Sequence, residues 1–306
     1  MPGTASHGKP TLEEIREALE RSGYLLEARI ARVLRERQPP WFVQSNTRYR
    51  DPATGNSREI DLIASQHQSL GRGDKLVPGV HTFGATIHIE CINNPLPLVL
   101  IRSGETVYNH QLDGLLEGAL THVRVEDAPI GRSVRLSELH HLRGSVLATQ
   151  FCDLARKQNG PNKNQLMAAH SERAHSCLES LAQSMVINSM SSETASREVS
   201  NLRVRYGCAV LQGELYVLDM TTQGEYTIAA SDHGAYRMVL VDRENGHRSE
   251  HLIDVVTENY FPEYLGLIEA TSDGMLARVE PHLEAVVAFV NASPSLLERY
   301  KPLKQQ

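Results

Sequence analysis

Two short apolar runs, each interrupted by a single acid, constrain this chain most. Arg58-Glu-Ile-Asp61-Leu-Ile-Ala64 and Ile87-His-Ile-Glu90-Cys-Ile92 read as β-strands with a carboxylate among residues that belong in a core. A carboxylate is costly to bury unless it is paired or binds a metal. Adjacent strands lie about 5 Å apart, so two such strands can hold Asp61 and Glu90 side by side. Close carboxylates repel, and a divalent cation relieves the repulsion. Oxygen ligands of this kind suit Mg2+ or Mn2+, and an ion there could activate a water for phosphoryl chemistry. The bland alternative for each acid is a strand-end position in water or in a salt bridge.

The surrounding pattern is mixed. Thr11-Leu-Glu-Glu14 is a capping box, and apolar residues at helical spacing follow from Leu12 to Leu34, with Gly23 as a break and Pro39-Pro40 as the end. Trp41 to Tyr49 and Ser57 to Ala64 read as strands joined in a hairpin through Asp51-Pro-Ala-Thr-Gly55. A loop over 66–85, a strand from Thr86 to Ile92 and a strand from Leu96 to Arg102 follow. Residues 103–142 read as an irregular insertion with short helices. Val146 to Arg156 is predicted helical, Asn159-Gly-Pro-Asn162 a loop, Gln165 to Ser189 a long helix and 189–202 a Ser-rich linker. Strands are predicted for Val204 to Leu211, Glu214 to Met220 and Tyr236 to Val241, with Gln212-Gly213 at a hairpin turn. Helices are predicted near Leu252 to Glu258, from Pro281 to Phe289 and after Ser293-Pro294. The expected class is α/β, a mixed sheet flanked by helices. The expected division is a core over 11–190 and C-terminal strands and helices over 203–300 on the same domain.

With 306 residues, 41% apolar and 22% charged, the composition is that of a folded soluble chain. No stretch approaches the roughly 18–20 apolar residues of a membrane span, and the N-terminal residues lack signal-peptide regions, so a cytoplasmic location is expected. Cys91, Cys152, Cys177 and Cys208 show no paired spacing and read as buried thiols. A net charge of −6 counts against nucleic acid as a partner. Residues 21–60, however, carry eight arginines against four acids, a local charge of +4. That segment reads equally as a basic face or as a solvated helix surface.

The order Ser57-Arg-Glu-Ile-Asp61, then Ile89-Glu90-Cys91, resembles the PD-(D/E)xK nuclease superfamily, the restriction-endonuclease-like fold. A helix carrying Glu27 in Leu-Leu-Glu27-Ala-Arg-Ile-Ala precedes the hairpin, as the superfamily's first helix does. Ala148-Thr-Gln150-Phe-Cys resembles the helix after the core strands, and Ile253-Asp-Val-Val256 a late segment of uncharacterised bacterial members. The resemblance spans roughly residues 11–265. It implies a nuclease of restriction, repair or phage defence that acts on DNA. Asp61, Glu90 and the Cys91 backbone carbonyl would be ligands for Mg2+ or Mn2+. Glu27 would hold a second metal or a metal-bound water, and Gln150 would support the site or touch phosphate. A homodimer or a defence-complex partner is a further implication.

One departure from the family pattern matters. Where the motif has Glu-x-Lys, this chain has Glu90-Cys-Ile92. Residues 90 and 92 share a strand face, so an aliphatic side chain fills the lysine position. Lys75, Lys157 and Arg58 are the replacements considered, with Arg58 disfavoured by alternation. Ile92 favours a second reading, a nuclease-fold protein that binds nucleic acid or a protein without cutting. Acidic charge and few aromatics favour a third, a structural subunit of a larger complex. The histidines at 140, 141, 170 and 175, with Cys177, show no zinc spacing.

Overall fold

The computed structural model describes residues 9–286 apart from 52–54, 70–81, 95, 119, 121–123, 126–127, 158–163, 195–200, 222, 242–245 and 247. Thr11 opens helix α1 (Leu12–Ser22) through the expected capping box: its hydroxyl accepts from the Glu14 N–H, and the Glu14 carboxylate accepts from the Thr11 N–H. Gly23, at φ +86°, separates α1 from α2 (Tyr24–Glu36) in a conformation that favours glycine. Helix α2 buries Leu26, Ile30, Ala31 and Leu34, the stripe its spacing requires.

Strands β1 (Phe42–Arg50), β2 (Ser57–Ser69) and β3 (Thr82–Ile92) form an antiparallel meander. The strands run further than expected, so the loop narrows to 70–81, which with Lys75 lies outside the described residues. β4 (Leu98–Thr106) follows. The segment expected to be irregular holds only small elements: α3 (Asn109–Asp113), β5 (Leu116–Gly118), β6 (Arg124–Val125), β7 (Ala128–Pro129), α4 (Ile130–Ser133) and a 3-10 turn at Leu136–Leu139.

The second half departs more from expectation. Val146–Arg156 is a strand, β8, and not a helix; pairing with β4, with β13 (His233–Val241) and with β9 (Leu166–Ala169) decides its conformation. The long helix α5 (Glu172–Thr194) starts after β9 rather than at Gln165, and it covers half of the expected linker. β10 (Asn201–Leu211) and β11 (Leu215–Met220) do not form a hairpin about Gln212-Gly213. β11 pairs instead with β4 and with β12 (Tyr226–Ser231), an exposed edge strand the pattern did not reveal. β14 (Arg248–Thr257) replaces the helix expected from Leu252. Its residues 252–257 are all buried, and a continuous apolar run of that length does not distinguish strand from helix. A 3-10 turn, Glu258–Tyr260, leads into α6 (Phe261–Val279). The helix expected from Pro281 begins as a second 3-10 turn, Glu280–His282. The expected loop at 159–162 and the helix after Ser293 lie outside the described residues.

The result is a mixed α/β architecture built on one large sheet in the order β1-β2-β3-β10-β14-β13-β8-β4-β11-β12, with β5 on β10 and β9 on β8. β10 runs parallel to β3 from Asn201↔Thr82 to Leu211↔Ile92, so strands from both halves of the chain interleave. One face packs on α2 and α6 through Leu26, Ile30, Ile89, Tyr206, Phe261 and Ile268. The other packs on α5 through Ile92, Leu100, Leu178, Leu181, Met185 and Val255. All four cysteines are free; Cys91 and Cys208 are buried, Cys152 and Cys177 half-buried. Among the described residues no helix is long and apolar enough to cross a membrane.

Where β2 and β3 run together, Gly84 leaves no room for a side chain: a Cβ there would stand 2.3 Å from the Gln66 carbonyl oxygen. That oxygen is backbone and cannot swing aside. Gly84→Ala is expected to cost about 1–3 kcal/mol of stability, read as a lower urea midpoint. An unchanged midpoint would show that the pair can spread without loss.

Candidate functional site

Asp61 and Glu90 meet where two strands part. The β2–β3 register runs from Ser69↔Thr82 to Leu62↔Ile89, and one further step sets Asp61 opposite Glu90. Pairing ends there, while β3 stays on β10 to Ile92 and β2 stays on β1 to Ser57. The irregularity is visible on both neighbours of Asp61. Leu62 packs beneath α2 and α6 but Ile60 packs on the α5 side, although alternation would place them together. Across from Asp61 on β1, Asn46 has φ +54° and drops out of the register.

The parting leaves the Cys91 N–H without a strand partner, and Asp61 takes it: Oδ2 accepts that N–H at 2.7 Å. The bond replaces one that the ladder no longer makes. Strand geometry sends the carbonyl of a residue to the same edge as its N–H, so the Cys91 carbonyl faces this gap too. Two carboxyl groups and a carbonyl thus converge on one opening in the sheet.

The electrostatics of the gap follow from burial. Glu90 is 5% exposed, and its proton affinity is raised well above the carboxylate norm by burial first, then by Asp61 and Glu27. Asp61 is raised by burial and held back by the Cys91 N–H. Burial acts on both carboxyl groups, and the charge of Asp61 adds to it at Glu90, so both are raised and Glu90 is raised well above the norm. Its Oε1 is buried with no hydrogen-bond partner. Glu27, half-buried on α2, is raised by burial and then by the charges of Asp61 and Glu59.

Helix α5 completes the site. Ser180 stands near enough to Glu90 to favour its charged form, and Tyr49 of β1 fixes Ser180, its hydroxyl lying 2.8 Å from Oγ and 2.9 Å from the carbonyl oxygen. Burial pushes the Tyr49 phenol up to about 12, so it stays a neutral donor. Arg173, in the first turn of α5, is the cation whose charge favours ionised Asp61.

The expected residues therefore divide. Asp61, Glu90, the Cys91 backbone and Glu27 come together. Gln150 does not: it is an exposed residue of strand β8, four strands from β3 and so roughly 19 Å away at ~4.8 Å per strand. Ile92 is fully buried among the α5-side core residues. Arg58 is bound to Asp51 at 3.0 Å, and Lys157 lies beyond the end of β8. Arg173, Ser180 and Tyr49 were missed. They become legible only once the helix over the site is α5 rather than Val146–Arg156. The basic segment is largely neutralised within the molecule, as Arg29, Arg32, Arg37, Arg48 and Arg58 pair with Glu258, Glu36, Glu269, Glu59 and Asp51. A cleft of about 390 Å³ beside the ends of β10 and β14 is lined by Glu214, Asp232, Thr257 and Glu258 among others, and by neither acid of the pair.

Glu90 makes stability depend on pH in a defined direction. The folded chain holds this proton more tightly than the unfolded one, so its stabilising effect is complete below about pH 4.5 and is lost as pH rises toward the folded value. Every tenfold difference in proton affinity corresponds to about 1.4 kcal/mol. Without divalent cations, Glu90→Gln is expected to match the wild type near pH 4 and to exceed it increasingly toward pH 8 in thermal melts. Parallel pH curves would contradict a raised proton affinity at Glu90.

No family model, no curated protein and no solved structure matches this chain.

Proposed function

We propose that this chain is a metal-dependent phosphodiesterase of restriction-endonuclease-like architecture that acts on DNA. The observation that carries the reading is the Asp61–Glu90 pair at the parting of β2 and β3, with a buried, unpartnered Glu90 Oε1. Unsatisfied buried oxygens beside a second carboxylate are what a hard divalent cation would satisfy. Asp61, Glu90 and the Cys91 carbonyl would hold Mg2+ or Mn2+, with Glu27 set back for a second ion or a bound water. Such an ion would supply an activated water and neutralise charge on the phosphoryl group.

The residues of the chain have separate tasks in this scheme. Ser180, braced by Tyr49, holds the Glu90 carboxyl group in the gap. Arg173 offsets negative charge beside Asp61 and is the group available to meet a phosphate oxygen in place of the motif lysine. The helix α2 carrying Glu27 ahead of the β1–β2 hairpin supports the architecture. So does a helix after the meander, α5, that turns a polar residue toward the acids; that residue is Ser180 rather than Gln150.

A second reading, binding without cutting, has its own support. Ile92 is fully buried in the core, and Arg29 and Arg58 are already paired with Glu258 and Asp51. The two readings separate in a cleavage assay on linear and supercoiled DNA with Mg2+ or Mn2+. Cutting is expected from the wild type, with a loss of about 10²-fold or more in Glu90→Ala and in Arg173→Ala. Salt-sensitive binding without cutting, with activity gained in Ile92→Lys, would select the second reading. Neither binding nor cutting would remove both and leave a structural subunit.

A further inference from the structure

Asp254 is a third acid inside an apolar strand run, Leu252-Ile-Asp-Val-Val256 of β14, and it is 1% exposed. The register Ile89↔Cys208↔Asp254 sets it level with the Asp61–Glu90 gap, two strands along from β3. It faces the other side of the sheet, toward Tyr206 and Tyr264. Its ion-pair partners among the described residues are two imidazoles. His141 Nε2 lies 3.1 Å from both carboxylate oxygens, and His233 Nε2 lies 2.8 Å from Oδ1. Tyr264 donates its hydroxyl to Oδ2 at 3.1 Å.

Three separate stretches of chain build this cluster: the turn after Leu136–Leu139, the first residue of β13, and β14. One ligand atom from each of His141, His233 and Asp254 lies within 4.8 Å of the other two. We propose that these three side chains form a second metal site, suited to Zn2+ and distinct from the carboxylate gap.

Donor chemistry is the first support. Two imidazole nitrogens and one carboxylate oxygen suit Zn2+, whereas the all-oxygen set at Asp61 and Glu90 suits Mg2+ or Mn2+. Distance is the second. Metal–ligand bonds of about 2.0–2.1 Å give a tetrahedron with edges of about 3.3 Å; the N···O edges here are 2.8 and 3.1 Å, and all three ligand atoms lie within 4.8 Å of one another. Burial is the third: the Asp254 carboxylate is 1% exposed, and a carboxylate taken out of water is stabilised by a directly bound cation.

The surroundings are those of a supported ligand set. Tyr264 engages Oδ2 and leaves Oδ1 facing the rings, an outer hydrogen bond of the kind that orients a metal-bound carboxylate. His140 stacks on His141 at 4.7 Å and Tyr260 on His233 at 5.9 Å, so both rings are held in place. The His233 side chain is 25% exposed, and it follows Ser231 and Asp232, which line the 390 Å³ cleft. Three protein ligands leave a fourth position for water or a substrate oxygen.

Titration of the metal-stripped full chain with Co2+ tests the site. The expected result is an intense visible absorption of four-coordinate cobalt that saturates at one equivalent and is bleached by Zn2+. His233→Gln, which can still hydrogen-bond Asp254, is expected to abolish the band while circular dichroism stays unchanged. Asp61→Asn is expected to keep it. No band in the wild type, or a band that survives in His233→Gln, would overturn the proposal and leave a hydrogen-bonded cluster. A band lost in Asp61→Asn would place the ion in the carboxylate gap and overturn it equally. Because the readout is metal binding, it is independent of whether the chain cuts DNA.

Discussion

Parallel strands cannot be joined by a tight turn, and the parallel pairing of β10 with β3 sets much of the rest of this molecule. The chain leaves β3, builds β4, β8 and β9 on the far half of the sheet, and returns along α5 before entering β10. The return places α5 across the face that Glu90 and Ile92 share. Its apolar side, Leu178, Leu181 and Met185, closes the core there. Its N-terminal and middle turns bring Arg173 and Ser180 to the acids. The same pairing fixes Cys91 on a central strand, so that its N–H is left for Asp61 when β2 diverges. Fold and site are consequences of one strand alignment.

Burial of carboxylates is the second constraint, and the sheet meets it in two ways. At the gap, Asp61 receives a backbone N–H, and burial raises the proton affinity of Glu90 well above the carboxylate norm. At β14, Asp254 stays ionised: His141 and His233 hold its proton affinity far below the ordinary range despite complete burial. Both arrangements are incomplete as hydrogen-bonding systems. Glu90 Oε1 has no hydrogen-bond partner at the gap, and His141 Nδ1 has none beside Asp254; the first of these faces the second acid and marks a place where a ligand would gain by binding.

Ile92 shows how the core and the proposed chemistry compete. Its side chain lies with Ile60, Leu98 and Leu100 on the α5 face, and burying a side chain of that size contributes about 1.5–3 kcal/mol. An ammonium in the same place would need Glu90 ionised beside it to offset desolvation. Aliphatic packing at Ile92 and a raised proton affinity at Glu90 are therefore consistent with each other. Any positive charge for the site must come from the rim, where Arg173 stands.

Local chemistry was readable from residues alone. The capping box at Thr11, the break at Gly23, the stripe of α2 and the β1–β2 hairpin depend on neighbours within a few positions. The pairing of Asp61 with Glu90 was readable as well, because an acid in an apolar strand has few stable settings. The second half was not. β8 and the end of β14 are apolar runs whose periodicity suits helix or strand, and only the partners β4, β13 and β10 decide between them. A helical β8 would carry Gln150 to the acids; as a strand it leaves that place to Arg173 and Ser180 of α5. Asp254 carried the same signature as Asp61 and Glu90, yet its histidines lie 113 and 21 residues away in sequence. What the sequence by itself determined is the set of acids that must find partners, since burial is a property of each strand. Which partners they find was decided only by the tertiary structure, because strand order across the sheet sets which distant side chains can meet.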